Sequence, residues 1–219
     1  LEAVYNELGM ASYKTEVQKL LGISIPYTTM IKLEDFIKLC DMFGGMRVFI
    51  PSPIDSLSEE NERWLLPSGA VTLDGDKIAV YLQYREEDET EESIQDRYQN
   101  VMGAFLTGLH DQSFKIFNTS KNFKRFSVNL NTNLADYEEE TLYSQIAELD
   151  TESIIKQTIT GSLRNVDGQQ LLFPLNNGEF IKEAVKQTTY MLMSTDGTIS
   201  TRIYVLEIQN GTSVQGLAH

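Results

Sequence analysis

Seven apolar residues, Ile94, Tyr98, Val101, Met102, Phe105, Leu106 and Leu109, recur at the spacing of one helix face without a break. A stripe of that length demands an amphipathic helix packed against another layer. Thr90 stands where its N-cap belongs, and Glu91 and Glu92 suit the positive end of the helix dipole. A second stripe, Leu33, Phe36, Ile37, Cys40 and Phe43, predicts a helix over 33–43 that Gly44-Gly45 closes. Further helices are predicted over 12–21, with Ser12 as N-cap and Gly22 just past the end, and over 137–149 and 178–193. Strands are predicted over 23–31, where Pro26 favours an edge, over 46–50, and around 168–173 and 202–208. Asp74-Gly75 reads as a tight turn before a strand from Lys77 to Tyr84, whose Ile78, Val80 and Leu82 share one face. Residues 51–65 read as a polar surface excursion, 86–92 as a solvated acidic loop and 111–133 as irregular. Alternating strands and helices give an α/β or α+β domain.

The chain has 219 residues, 41% of them hydrophobic, which is enough for a real core. Its formal net charge of -14, from 18 Lys+Arg and 32 Asp+Glu, repels phosphate backbones, so no nucleic-acid partner is expected. A local basic patch can still serve an anionic ligand. The single cysteine, Cys40, excludes an intrachain disulfide and reads as a small buried apolar residue. No stretch approaches the roughly 20 apolar residues of a membrane span. The chain opens on Leu1 rather than methionine, which points to upstream sequence having been removed.

Common catalytic signatures are missing: no phosphate-binding glycine loop, no G-x-S-x-G, no H-E-x-x-H. The histidines are His110 and His219, so a histidine triad or histidine-ligated metal is not expected, and a metal would need oxygen ligands. That leaves arginines. Arg85 follows the 77–84 segment, and Arg97 lies at the margin of the long stripe. If the elements fold back on each other, two guanidiniums beside a helix start would hold a phosphate or pyrophosphate. The plainer alternative is that both arginines pair with the acidic loop between them. Lys115, Lys121, Lys124 and Arg125 form a local basic cluster that reads as solvated loop. Asn118-Thr119-Ser120 and Asn210-Gly211-Thr212 match the N-glycosylation pattern, a short motif common by chance. Trp64 is a contact residue or a cap over the core.

Four stretches carry a resemblance. Residues 36–50 (FIKLCDMFGGMRVFI) look like a helix ending V-D-x-L-G-G-V before a strand. Residues 66–85 (LPSGAVTLDGDKIAVYLQYR) look like A-G-x-x-x-L-D-G-x-x-A-L-x-Y-x-R-x-R. Residues 91–102 (EESIQDRYQNVM) resemble the helix start D-F-x-R-x-x-R-Q. Residues 203–218 (IYVLEIQNGTSVQGLA) look like V-x-N-G-[ST]-x-x-x-G-L-A. In this order they resemble the LytR-CpsA-Psr family of bacterial cell-envelope proteins, the last stretch resembling the opening of a LytR C-terminal domain. The resemblance implies a LytR-CpsA-Psr-like domain over 1–198 and the start of a C-terminal module over 199–219. It implies a three-layer α/β/α domain around a mixed β-sheet, exposed outside the cytoplasmic membrane and anchored through an upstream segment.

The same resemblance implies binding of a polyprenyl (pyro)phosphate-linked glycan carrier in an apolar tunnel. The family reaction is glycopolymer transfer to peptidoglycan, usually with magnesium. Carried over, it makes Arg85 and Arg97 the catalytic and ligand-binding candidates, adds Gln83 and Gln99 as ligand-binding candidates, and puts a magnesium ligand at Glu91. The match is incomplete. The first strand arginine is Gln83, the first helix arginine is Ile94, and the glutamine after Arg97 is Tyr98. Glutamine cannot replace a permanently charged, bidentate guanidinium on a diphosphate. The family's early S-D-T and S-x-P-R-D segments have no counterpart in 1–219. Two functions therefore stand side by side: a transferase, and a non-catalytic lipid-binding or scaffold protein with a degenerate site. A third, transcription regulation, runs against the acidic charge and the lack of a helix-turn-helix.

Overall fold

A computed structural model of the chain describes residues 2–57, 62–86, 89–148, 151, 154, 161–166 and 169–193. Two compact units divide the chain, residues 1–16 with 24–160 and residues 17–23 with 161–219. In chain order the elements are α1 (Glu2–Leu21), β1 (Thr29–Met30), α2 (Leu33–Phe43), β2 (Met46–Ile50), β3 (Ile54–Leu57), β4 (Arg63–Leu66), β5 (Gly69–Leu73), α3 (Gly75–Gln83), α4 (Glu91–Asp111), α5 (Ser113–Phe117), α6 (Ser120–Ser127), β6 (Asn131–Thr132), α7 (Asp136–Ala147), β7 (Gly161–Val166), β8 (Gln169–Pro174) and α8 (Glu179–Met193). The described strands pair as four antiparallel ladders, β1 with β6, β2 with β5, β3 with β4 and β7 with β8. The α/β class expected from the sequence holds.

The core of the first unit is built by the two stripes. Phe36, Leu39, Cys40 and Phe43 of α2 are buried against Val101, Phe105 and Leu109 of α4, with Met46, Val48 and Ile50 of β2 and Ile78 and Tyr81 of α3 beside them. The Phe105 ring lies 5.6 Å from that of Phe36 and 5.4 Å from that of Phe43. Each such side chain contributes about 1.5–3 kcal/mol on burial. Gly108 permits the approach of α4 to α2, since a Cβ there would stand 2.6 Å from the Phe43 ring. Gly44, at φ +83°, closes α2 in the left-handed conformation. Cys40 is fully buried, and burial pushes its thiol up to about 12.

Several expectations need correction. Lys77 to Tyr84 is not a strand: residues 75–83 form α3. The Asp74 carboxylate accepts a hydrogen bond from the Lys77 amide at 3.0 Å, so Asp74 is a helix cap rather than a hairpin corner. Asp41 accepts from the Gly75 amide at 2.8 Å, satisfying another donor of that first turn. Ile78, Val80 and Leu82 fit period two, while Ile78, Tyr81 and Leu82 fit a helix, and the cap decides. α1 starts ten residues before Ser12, bends at Gly9 (φ +77°), and leaves Ser12 inside the helix; it ends at Gly22 as expected. The 23–31 strand shrinks to two residues. The 51–65 excursion holds the β3–β4 hairpin, whose Ile54 and Leu66 are buried and whose Trp64 is half-buried. Residues 111–133 hold α5, α6 and β6. Strand β7 was not anticipated, because GSLRNV lacks an apolar alternation. The predicted 202–208 strand and the 199–219 module lie outside the described residues.

Candidate functional site

α3 ends at Gln83, and its last carbonyls have no acceptor-satisfying partner within the helix. Both candidate arginines converge there. Arg97, only 8% exposed, donates through Nη1 to the Tyr81 carbonyl at 3.3 Å and to the Tyr84 carbonyl. Arg85 donates through Nη1 to the Leu82 carbonyl at 2.8 Å and to the same Tyr84 carbonyl at 2.6 Å. The two guanidiniums therefore meet on one oxygen. Positive charge at a helix C-terminus also complements the dipole.

Their remaining donors differ. Arg97 Nη2 forms an ion pair with Glu89, whose side chain is 5% exposed. Glu89 is itself fixed, accepting from the Ser93 hydroxyl at 3.0 Å. The Arg97 guanidinium lies 5.4 Å from the Tyr81 ring centre and 5.7 Å from that of Tyr84. Arg85 instead donates through Nη2 to the Tyr98 hydroxyl at 2.6 Å on the exposed side of α4. Burial is the main cause that pushes the Tyr81 and Tyr84 phenols up, so both stay neutral at physiological pH. Thr90 caps α4 as expected, accepting from the Ser93 amide at 3.2 Å.

A cavity of about 420 Å³ opens beside this joint. Ile50, Pro51, Ile54, Tyr81 and Tyr84 give it an apolar and aromatic wall, and Glu86, Glu89, Glu92 and Asp96 line it with carboxylates. Arg97 is the cation among its described lining residues; Arg85, Gln83 and Gln99 do not line it. Gln83 is exposed at the last turn of α3, and Gln99 is half-buried on α4. Ile94, at the family's first helix arginine, is buried. Glu91 is the first residue of α4, and its side chain lies outside what is described. Among the described residues no three carboxylate, histidine or cysteine side chains converge to hold a metal ion.

The sequence put Tyr98 on the apolar stripe and Arg97 at its margin. The structure reverses them: Tyr98 is exposed, and the buried line runs Ile94, Arg97, Val101, Phe105, Leu109. The plainer alternative, pairing with the acidic loop, holds for Arg97 through Glu89, while Arg85 takes carbonyls and Tyr98 instead. The Tyr81 and Tyr84 carbonyls carry no signal in the sequence, since backbone acceptors at a helix end follow only from folding. His110 Nδ1 lies 2.5 Å from the Ala147 carbonyl and ties α4 to the end of α7. Thr119 accepts from the Asn122 amide at 3.2 Å, so Asn118-Thr119-Ser120 carries the N-cap of α6. His219 and Asn210 lie outside the described residues. Lys115 sits on α5, and Lys121, Lys124 and Arg125 on α6, all exposed on folded helices rather than irregular loop.

A family model described as "LytR_cpsA_psr family" matches residues 1–188. Among solved structures the chain is similar to B. subtilis TagV, with 20% identity and a TM-score of 0.71 over 84% of this chain and 72% of that one. It is also similar to a protein described as a transcriptional regulator from Enterococcus faecalis, with 20% identity and a TM-score of 0.67 over 85% and 67%. A third, B. subtilis TagU, has 17% identity and a TM-score of 0.57 over 85% and 73%. No match was found among curated protein sequences. At these identities the solved structures speak to the fold.

Proposed function

Because the chain belongs to the LytR-CpsA-Psr family, a family associated with the cell envelope, we propose that it binds a polyprenyl (pyro)phosphate-linked glycan carrier there without transferring the glycan to peptidoglycan. The observation that carries this reading is the joint at the end of α3. Arg97 is buried on two carbonyls and Glu89, and Arg85 is held on two carbonyls and Tyr98. Arg97 is neutralised by Glu89, and Arg85, held on neutral acceptors, does not line the cavity, so the two guanidiniums are not gathered there to neutralise a leaving pyrophosphate, the charge-stabilising role a transferase needs. Gln83, Ile94 and Tyr98 supply no replacement. Four carboxylates around the adjoining cavity add repulsion toward a diphosphate. Should magnesium accompany a bound diphosphate, the cavity carboxylates Glu86, Glu92 and Asp96 are the described groups that could share its coordination with the phosphoryl oxygens. Carrier binding then rests on the apolar wall of Ile50, Ile54, Tyr81 and Tyr84. Extracytoplasmic, membrane-proximal placement belongs to the same proposal; no helix among the described residues is long and apolar enough to cross a membrane.

A second reading, transfer to peptidoglycan, is favoured by one feature: Arg97 already lines the cavity, and an incoming diphosphate that displaced Glu89 would find its guanidinium unneutralised. One assay separates the two. The chain is incubated with a polyprenyl-pyrophosphate-linked glycan and peptidoglycan, with and without magnesium, and both carrier retention and release of polyprenyl phosphate are measured. Retention without release is expected. Magnesium-stimulated release that disappears in Arg85→Ala/Arg97→Ala would overturn the proposal in favour of transfer, and no retention at all would overturn both.

A further inference from the structure

The α5–α6 corner holds a second cavity, of about 390 Å³, that shares no lining residue with the first. Lys115, Arg125, Gln112, Asn118 and Asn122 line it with polar groups, with the buried Ile116 among them. No carboxylate lines it, in a chain whose net charge is -14. The amides are pinned. Asn122 Nδ2 donates to the Lys115 carbonyl at 2.9 Å and to Asn118 Oδ1 at 3.0 Å, which fixes α6 against α5. Lys115 Nζ donates to Gln112 Oε1 at 2.7 Å and keeps two further hydrogens. The Arg125 guanidinium makes no hydrogen bond or ion pair to any described residue. Lys121 and Lys124 add positive charge from the same helix.

We propose that this cavity binds a phosphoryl group, as a phosphomonoester or phosphodiester. Arg125 offers its planar fork of N–H donors to two phosphoryl oxygens, and Lys115 adds a point charge from the facing helix. Gln112 holds the Lys115 ammonium and Asn122 ties α6 to α5, so the two helix segments that carry the cations are set before the ligand arrives, which lowers part of the ordering cost. The joint at the end of α3 plays no part, so this binding stands or falls separately from carrier binding.

The test titrates the full chain with sn-glycerol 3-phosphate and, in a second arm, with vesicles of phosphatidylglycerol against vesicles of phosphatidylcholine. Binding is expected in at least one arm, and the arm identifies a free phosphoester or a lipid headgroup as the source. Lys115→Gln/Arg125→Gln is expected to weaken it about tenfold or more, the loss that goes with removing charged hydrogen bonds. Lys121→Gln/Lys124→Gln removes equal charge outside the cavity lining and is expected to weaken it much less. No binding in either arm, unchanged affinity in the first variant, or equal losses in the two variants would each overturn the proposal.

Discussion

The cavity beside α4 and the cavity between α5 and α6 are close in size, about 420 and 390 Å³, and opposite in how they hold their cations. Arg97 lines the first and is buried, with two carbonyls and a carboxylate on its donors. Arg125 lines the second and is exposed, with its guanidinium open. The first sits where family motifs place an anion site, and carboxylates surround it. The second sits where no motif points, and no carboxylate lines it. A position shared with a family's arginine therefore does not make that arginine available. Availability depends on what else the fold asks of the guanidinium, and the end of α3 asks a great deal.

The sharpest way to break the contrast is Arg97→Ala. If Arg97 is a structural joint, its removal strands Glu89 as a buried charge, takes the donor from the Tyr81 carbonyl and leaves the Tyr84 carbonyl to Arg85 alone. Losing one partner of a buried pair costs about 3–5 kcal/mol. In a chain of this size that lowers Tm by on the order of 10 °C in a thermal melt. Arg97→Met/Glu89→Leu, which removes both charges, is expected to recover most of that loss. A Tm within about 2 °C of the parent for Arg97→Ala alone would show a guanidinium free for ligand, and the two cavities would no longer differ.

This joint also marks where legibility in the sequence stopped. Helix 33–43, strand 46–50 and the Thr90 cap are set by stripes and caps within a few residues, and all three are where the spacing predicts them. α3 is ambiguous in the sequence because its apolar residues satisfy two periods and Asp74-Gly75 suits a hairpin corner as well as an N-cap; the Asp74 cap, backed by Asp41 on the Gly75 amide, decides for the helix. The inversion of Arg97 and Tyr98 is similar. A stripe ranks side chains by polarity, so it cannot anticipate a buried arginine whose partners lie on the preceding helix end and loop. At the α5–α6 corner the sequence shows the basic cluster of Lys115, Lys121, Lys124 and Arg125 but not the cavity, because the two short helices carry no long stripe and only their folding brings Lys115 and Arg125 to one lining.

A smaller effect is expected at the other end of α3. Asp74 caps it and pairs with Lys77, which holds the Asp74 carboxyl below the usual range. Asp74→Ala is expected to cost about 1 kcal/mol, the usual worth of an N-cap, by urea denaturation. A loss as large as that of Arg97→Ala would mean that α3 as a whole, rather than the joint, is the sensitive element.

Glu139 sharpens the role of pairing. Its 7% exposure matches the 8% of Arg97, but its Oε1 has no hydrogen-bond partner among the described residues. Burial, and then the Asp136 carboxylate, hold its carboxyl above the usual glutamate range. The folded chain thus binds this proton more tightly than the unfolded chain, so its stabilising effect is complete below the ordinary glutamate value and is lost as pH rises through the raised one. Above the ordinary glutamate value the unfolded carboxyl ionises before the folded one, so the buried group weakens the fold. Glu139→Gln is expected to raise Tm at pH 7 by on the order of 2 °C and to leave it unchanged near pH 4. An equal shift at both pH values would assign the effect to packing instead of charge.

The smallest expected effect is also the one that most directly separates the cavities. Lys115→Gln/Arg125→Gln removes two charges from the α5–α6 corner, yet neither side chain is buried and Arg125 gives up no bond to a described residue. Lys115 loses one exposed hydrogen bond, to Gln112. Surface changes of this kind stay within about 0.5 kcal/mol. Relief of repulsion between Lys115, Lys121, Lys124 and Arg125 works in the stabilising direction and is weakened by salt. Unchanged denaturation midpoints beside a weakened phosphoryl affinity would make these cations a site, where Arg97 is a joint. A loss of 2 kcal/mol or more would instead place them in the same structural role as Arg97.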